Sequence, residues 1–207
     1  MREPYLQTAF IRLCWEKLLM LIALNLLFLL SCVPLFTIPA AATAQARACQ
    51  GCLLDESHIF QMYFHSLRVN LLPAIPLGIV FLGGTAGLLY GCLFYNQAAP
   101  GNGVSVLLSL FCIVCVYFWF CMGAFGFHML ARVELRIPAI LRNAFCLTFQ
   151  QPRVVFGWLL LSFGMAAAAL LLFPHSLPWM LLLGGSLPSF AAARGVLPII
   201  DTRIIKE

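Results

Sequence analysis

Two cysteines and two histidines in the first polar stretch are the residues most suited to metal chemistry. Cys49 and Cys52 form a C-x2-C pair, and His58 and His65 follow them. Zinc favours thiolate and imidazole ligands, but its histidine pairs usually lie about three to five residues apart after a longer spacer. The spacing here differs, and both histidines fall on a predicted apolar helix. We therefore predict no metal site and no cofactor.

The remaining cysteines do not suggest a disulfide framework. The sequence has nine cysteines in all, an odd number, and six of them lie in or beside apolar segments. A free thiol in such a place behaves as a small hydrophobic group. Cys112 and Cys115, in the middle of an apolar run, are therefore interpreted as packing residues.

The motifs of common enzymes and ATPases are missing from the sequence. It has no G-x4-G-K-[ST] phosphate loop, no H-E-x-x-H and no G-x-S-x-G. The seven acidic residues all lie outside the apolar runs, and no run carries Asp, Glu or His near its centre. Ion-coupled carriers normally need such a group inside the membrane. We therefore predict a protein that is neither an enzyme nor an ion-coupled carrier.

Asn25 is a polar residue near the middle of the first apolar run. Lipid offers its amide no hydrogen-bond partner, so a neighbouring helix is expected to supply one. The favoured interpretation is structural, with one hydrogen bond between helices. The alternative is that Asn25 lines a path for a solute, because polar residues inside the membrane often mark one.

Five long apolar runs set the fold class. The 207 residues are 63% hydrophobic and 9% charged, with a mean hydropathy of +0.99. Each run approaches the ~20 residues that a helix needs to cross the hydrocarbon core. The sequence therefore predicts an all-α, polytopic transmembrane bundle of about five spans in a single domain, residues 1–207. The five runs are Leu18–Phe36, Leu71–Leu93, Val104–Phe127, Val154–Phe173 and Trp179–Leu197.

Two segments between the runs have the periodicity of amphipathic helices at a membrane interface. In the first, the apolar face is predicted to contain Phe60, Tyr63, Phe64 and Leu67. The second is predicted to begin at Pro138. Its apolar face would contain Ile140, Leu141, Ala144, Phe145 and Thr148.

Basic residues set the expected orientation, since Lys and Arg collect on the cytoplasmic side. With five spans, an outside N-terminus and a cytoplasmic C-terminus place nine basic residues in the cytoplasm and three outside. Arg12 and Lys17 oppose this arrangement, because they flank the first run closely. A first segment that enters and returns would reconcile them, with a break at Pro34 and Pro39 and a separate helix over Ala40–Ala48. We expect the first segment to be retained, although its ending at Ala42-Thr43-Ala44 resembles a signal-peptide cleavage site.

Three glycines in the second run have the spacing of a close helix contact. Gly83, Gly87 and Gly91 form two overlapping G-x3-G steps, which let helix backbones approach each other in lipid. Packing within the monomer is the favoured interpretation, and a homodimer face is the alternative.

A 21-residue stretch that begins in the first run and continues beyond it resembles the opening motif of the YesL-like family of bacterial membrane proteins. Leu24–Ala44 reads LNLLFLLSCVPLFTIPAAATA, and the family signature is close to N-L-L-W-L-L-x-x-L-P-[IV]-[VF]-T-I-G-x-A-x-x-A. The chain has Phe28 in place of Trp and Pro39 in place of Gly. It keeps Asn25, Pro34, Thr37 and Ile38.

Two later stretches extend the resemblance. Phe60-x3-Phe64-x3-Arg68-x-Asn70 is similar to the family pattern F-x3-F-x3-[KR]-x-N-F. Leu130–Glu134 and Leu141–Ala144 are similar to the entry to the family's fourth span.

The resemblance implies a membrane protein, and it supplies no catalytic residues to carry over because the family is named as a domain of unknown function. Its members are often encoded near sugar-uptake ABC transporters. The implied function is therefore an accessory role in saccharide uptake at the bacterial cytoplasmic membrane, with ABC permease subunits as candidate partners. A stand-alone channel or carrier for small molecules is the alternative. Lipid is an expected partner, a second copy of the chain is the alternative for the glycine face, and nucleic acid is not expected.

Overall fold

The computed structural model describes residues 9–98, 102–133 and 135–203, and these residues are almost entirely helical, with no strand among them. We number ten helices in these ranges in chain order. They are α1 Phe10–Glu16, α2 Leu18–Ser31, α3 Ile38–Leu53, α4 Ile59–Val69, α5 Leu71–Ala98, α6 Gly103–Leu130, α7 Ile137–Gln150, α8 Pro152–Leu171, α9 Leu177–Leu183 and α10 Ser186–Arg203.

Three of the helices are unbroken and long and apolar enough to cross a membrane. They are α5, α6 and α8, and they coincide with the second, third and fourth apolar runs. The first and fifth runs lie instead in bent pairs: α1 and α2 meet at 73°, and α9 and α10 at 50°. If each bent pair counts as one span, the total is five. The prediction of an all-α transmembrane bundle of about five spans is confirmed.

The first apolar run ends in a turn and the chain then returns. Helix α2 stops at Ser31, a short 3-10 turn follows over Leu35–Thr37, and α3 packs back against α2. The Nζ of Lys17, at the start of α2, contacts a carboxylate oxygen of Asp55, just beyond the end of α3. Both flanks of the hairpin therefore lie at the same end of the bundle. This geometry favours the entering-and-returning segment over a single crossing.

Helix α3 lies at the centre of the bundle, although its sequence is too polar to be a predicted span. Thirteen of its sixteen residues are buried. It packs against α2, α4, α5, α6 and α10. Its alanines explain this position, because small side chains let several helices approach one backbone closely. Ala40 belongs to the hydrophobic cluster formed with α5, α6 and α7, whereas Ala44 and Ala48 belong to the cluster formed with α2 and α4.

The two amphipathic helices form as predicted, and each predicted apolar face divides between residues buried in the protein and residues on its surface. Helix α4 buries Ile59, Tyr63 and Ser66, while Phe60 and Phe64 are 42% and 44% exposed.

In α7 the predicted start at Pro138 is confirmed. Ile140, Ala144 and Thr148 are buried as predicted, together with Leu147, but Phe145 is 53% exposed. Beside a membrane, phenylalanine can face lipid at no cost, so apolar periodicity alone does not identify the side that faces protein.

The glycines that allow α5 to pack within the chain are Gly78 and Gly84. A Cβ added at Gly84 would lie 2.3 Å from Cζ2 of Trp119, and one at Gly78 would lie 2.1 Å from Cγ of Pro39. At Gly83 and Gly87 an added Cβ would meet nothing within 4 Å, and at Gly91 it would meet only the Cys112 sulfur, at 3.6 Å. Packing within the monomer is therefore the wrong interpretation for Gly83 and Gly87, since both face outward.

We expect Gly84→Leu to lower thermal stability, with Gly87→Leu as the matched control. The Trp119 indole is fixed by a hydrogen bond of 3.1 Å from its Nε1 to the carbonyl of Phe81, so it cannot move aside easily. Overpacking of this kind costs about 1–3 kcal/mol. Thermal unfolding in mild detergent measures the effect. Equal losses in the two variants would contradict this assignment of the packed face.

Candidate functional site

Asn25 uses its whole amide to bridge the break between α9 and α10. Its Nδ2 donates to the carbonyls of Met180 and Leu181, at 3.0 and 2.8 Å. Its Oδ1 accepts from the backbone N–H groups of Gly185 and Ser186, at 2.7 and 3.1 Å. Two donors and two acceptor positions are all that an asparagine amide offers. The expected structural role therefore fits the geometry, with four hydrogen bonds instead of one.

The break itself depends on two glycines. Gly184 ends α9, where an added Cβ would lie 2.7 Å from Cα of Met180. At Gly185 an added Cβ would lie 2.9 Å from the Phe28 ring and 3.1 Å from Oδ1 of Asn25. At Gly185 only glycine lets the backbone come this close to α2, and at Gly184 only glycine fits against the preceding turn. We call the Asn25 amide with Gly184 and Gly185 the clasp.

A buried polar zone extends from this clasp along α3. The Cys49 thiol lies 3.7 Å from the carbonyl oxygen of Ser186, the first residue of α10. Gln45, one helical turn before Cys49, is 2% exposed. Neither polar atom of its side chain has a hydrogen-bond partner in the described parts of the chain, and the same holds for the hydroxyl of Ser186. This zone therefore retains hydrogen-bonding capacity that the protein does not use.

The polar zone continues to a pair between α3 and α6. The Nε2 of Gln50 lies 3.1 Å from Nδ1 of His128 and also 3.1 Å from the His128 carbonyl oxygen. Both side chains are almost completely buried. They join the end of α3 to the end of α6 where the two helices approach the charged end of the bundle.

At the charged end, three ion pairs connect four helix ends. Lys17 pairs with Asp55, as described above, and Arg47 lies 3.7 Å from Glu56. Arg132 binds Asp201 through two hydrogen bonds of 2.8 and 3.3 Å. The start of α2 and the ends of α3, α6 and α10 therefore meet at one end of the molecule.

Polar groups elsewhere in the spans also bond to backbone carbonyls. The Tyr117 hydroxyl of α6 donates to the carbonyl of Val155, the first residue of a π-helical turn in α8. The Ser162 hydroxyl donates to the carbonyl of Pro188 in α10, at 2.7 Å. Such hydrogen bonds hold neighbouring spans together. In a π-helical turn the backbone hydrogen bonds join residues five apart, so a carbonyl that loses its usual partner can accept from a side chain instead.

The structure separates the four residues of the proposed metal pattern. Cys49 and Cys52 are buried, whereas His58 and His65 are exposed on the other side of the turn that follows α3. No group of three or more potential metal ligands occurs in residues 9–98, 102–133 and 135–203.

The other motif residues stabilise turns or remain exposed. Pro34 holds the extended conformation before the 3-10 turn, and the Thr37 hydroxyl lies 2.5 and 2.6 Å from the carbonyl oxygens of Ser31 and Pro34. Asn70 ends α4 with a bond of 3.0 Å from Nδ2 to the Ser66 carbonyl. Phe60, Phe64 and Arg68 are exposed.

Tyr63, also on α4, binds the hairpin from the side. Its hydroxyl donates to Oγ of Ser31 at 3.0 Å. Burial raises the pKa of Tyr63 to about 12, so the phenol keeps its proton and remains a donor across the physiological range.

Sequence reasoning did not identify Gln45, Gln50 or His128 as a group. The sequence contains one signal that could have identified the two glutamines, which is their place in an alanine-rich segment outside the apolar runs. A helix of that composition is stable inside a membrane protein only when neighbouring helices enclose it. Arg194 is a basic residue near the end of the last apolar run. It is buried, and its guanidinium lies 4.7 Å from the ring centroid of Trp158 and 5.8 Å from that of Phe10.

The chain matches no family model, no curated protein and no solved structure. The resemblance to the YesL-like family therefore rests on the motifs quoted above and stays a prediction.

We expect Asn25→Leu to lower the free energy of unfolding by roughly 2–4 kcal/mol. The substitution would leave three backbone groups without partners, the Leu181 carbonyl and the N–H groups of Gly185 and Ser186, because the Met180 carbonyl still accepts from the N–H of Gly184 at 3.2 Å. Each such group in an apolar setting costs about 1–3 kcal/mol before relaxation. An average hydrogen bond between membrane helices is worth only about 0.6 kcal/mol. Unfolding in detergent measures the loss, with Asn96→Leu at an exposed site of α5 as the control. Wild-type stability combined with lost function would instead assign Asn25 to a solute path.

Proposed function

We propose that both ends of this chain face the cytoplasm of a bacterial cell. None of its twelve Lys and Arg residues lies within 18–46, 69–131 or 154–193. The three turns inside those segments carry no basic residue, while ion pairs join the start of α2 to the end of α3 and the end of α6 to the end of α10. The Gln50–His128 pair joins α3 to α6 near the same end. If both ends of the chain lie in the cytoplasm and the first segment returns, all basic residues fall on the cytoplasmic side of the sequence, which satisfies the positive-inside rule better than an outside N-terminus does.

Reporter fusions test this topology. We expect cytoplasmic signals from reporters at the N-terminus, after Glu56 and after Glu207, and an extracytoplasmic signal from one inserted after Gln97. A first segment that crosses once would give opposite signals at the N-terminus and after Glu56. Opposite signals at those two positions would therefore restore the five-crossing arrangement.

As its function, we propose a non-enzymatic accessory role with the permease subunits of an ABC-type saccharide uptake system. The choice of transporter follows from the resemblance to the YesL-like family. The structural observation that supports a membrane partner is the outward face of α5, where Gly83 and Gly87 have open space beyond their Cα atoms.

The open glycine face is difficult to explain by lipid alone. Glycine weakens a helix relative to alanine by roughly 0.5–1 kcal/mol, and acyl chains gain nothing from its small size. A second helix does gain, because its backbone can approach closely along a G-x3-G face. A permease helix is the proposed occupant, and a second copy of this chain is the competing one.

Co-purification in mild detergent tests the proposed partnership. We expect the wild-type chain to retain permease subunits when the native transporter is present, and Gly87→Leu to lose them while its thermal stability stays unchanged. Gly157→Leu, on the open face of α8, is the control and should retain them. If Gly87→Leu loses self-association but keeps the permease subunits, the outward face of α5 is the interface of a homodimer. Recovery of the wild-type chain alone would overturn the proposal.

A stand-alone channel or carrier is the second candidate function, and the buried zone around Gln45 favours it. The buried side chain of Gln45 and the Ser186 hydroxyl both have unpaired polar atoms, and Ser186 directly follows the break at Gly184-Gly185. Interrupted helices with free polar groups are also found in transporter binding sites. Flux of small saccharides into liposomes above that of empty controls would support this candidate, and Gln45→Leu should then abolish the flux. Equal flux in wild type and variant would dismiss it.

A further inference from the structure

One surface pattern occurs twice in the chain. Phe60, Phe64 and Arg68 on α4 repeat the spacing of Phe145, Phe149 and Arg153, which run from α7 into α8. All six side chains are exposed. We call each set an F-F-R stripe. Residues four apart lie on the same side of a helix, so the two phenylalanines of each stripe form a continuous apolar strip.

Each stripe ends where an apolar helix begins. Arg68 precedes Leu71, the first residue of α5, by three positions, and Arg153 is the second residue of α8. The phenylalanines remain open even though they touch neighbouring rings. Phe149 stacks on Phe118 with a centroid distance of 5.7 Å, yet it is still 60% exposed. The stripes are therefore placed where the chain enters the hydrocarbon layer.

The arginines of the stripes are not neutralised by the described part of the chain. Its four carboxylates, those of Glu16, Asp55, Glu56 and Asp201, pair with Arg12, Lys17, Arg47 and Arg132. No hydrogen bond or ion pair of the Arg68 or Arg153 side chain occurs within those same residues. An anion at either stripe would thus meet uncompensated positive charge.

The helix dipole of α8 does not favour an arginine at position 153. A cation near a helix N-terminus opposes the macrodipole, and Arg153 lies in the first turn of α8. The same position becomes favourable once an anion is present, because the helix N-terminus and the guanidinium then attract it together. Arg68, in the last turn of α4, has the favourable location for a cation, so the two stripes share their spacing but not this helix effect.

We propose that each F-F-R stripe binds one anionic phospholipid. The two phenylalanines contact the acyl chains, and the arginine binds the headgroup phosphate. Charge complementarity and the position of both stripes at helix entries support a lipid as the occupant. This binding is independent of the proposed transporter partnership, since the stripes and the glycine face of α5 are different surfaces.

Lipid titration of the purified full-length chain in neutral detergent tests this proposal. We expect phosphatidylglycerol to raise the thermal unfolding temperature and native mass spectrometry to show two bound copies, with weaker binding of phosphatidylcholine. Basic residues near a membrane surface contribute about fivefold each to anionic-lipid binding. Arg68→Gln and Arg153→Gln should each weaken binding at their own stripe about fivefold and lower the occupancy of one of the two copies, and the double variant should weaken both sites about fivefold.

The control carries the same charge change at other sites. Arg12→Gln combined with Arg203→Gln should bind phosphatidylglycerol within about twofold of wild type. Inorganic phosphate at matched ionic strength should not compete, because it lacks acyl chains for the phenylalanines. A fold defect in the arginine variants would show as a lower unfolding temperature without lipid, and Phe64→Ala with Phe149→Ala then supplies the second test through lost lipid retention.

Three results would overturn the proposal. Equal binding of the two lipids would remove the headgroup preference, and equal losses in variant and control would indicate diffuse charge instead of built sites. If the wild type shows no lipid preference and the arginine variants lose an acidic protein partner, the stripes bind a protein and not a lipid.

Discussion

A helix can break inside a bilayer only if the backbone groups released at the break find other partners, and much of this structure depends on how that need is met. Asn25 meets it with a single side chain, two donors toward the end of α9 and two acceptor positions toward the start of α10. The clasp fixes α2 against the last pair of helices. Because α3 returns along α2, it also fixes the helix at the centre of the bundle.

The composition of the apolar runs was enough to predict the membrane bundle, since 20-residue apolar segments have few other stable environments. Asn25 could be selected for the same reason, as an amide that lipid cannot satisfy. Its partners could not be predicted, because Gly184 and Gly185 are ordinary residues in an apolar run and the bond pattern depends on tertiary approach. The return of the first segment could be anticipated from Pro34 and from the charges beside the run, but only the contact between Lys17 and Asp55 distinguishes it from a crossing.

Packing faces were less predictable than spans, for a physical reason. In water, an apolar stripe marks the side of a helix that is buried in protein. At a membrane, lipid accepts the large apolar residues, and small or polar ones face the protein. Helix α4 shows this reversal, with Ser66 buried and Phe60 exposed. The same reversal explains why Gly84, which is outside the G-x3-G series, carries the close contact with α6.

The clasp also connects the first helices to the last ones in the order of synthesis. The atoms that satisfy Asn25 lie between 155 and 161 positions further along the chain. When α2 emerges from the ribosome and enters the bilayer, none of them exists. The first hairpin is therefore made before the partners of its amide, and the four hydrogen bonds form only after Met180–Ser186 have been added. A chain that terminates before α9 lacks these partners and cannot form the clasp.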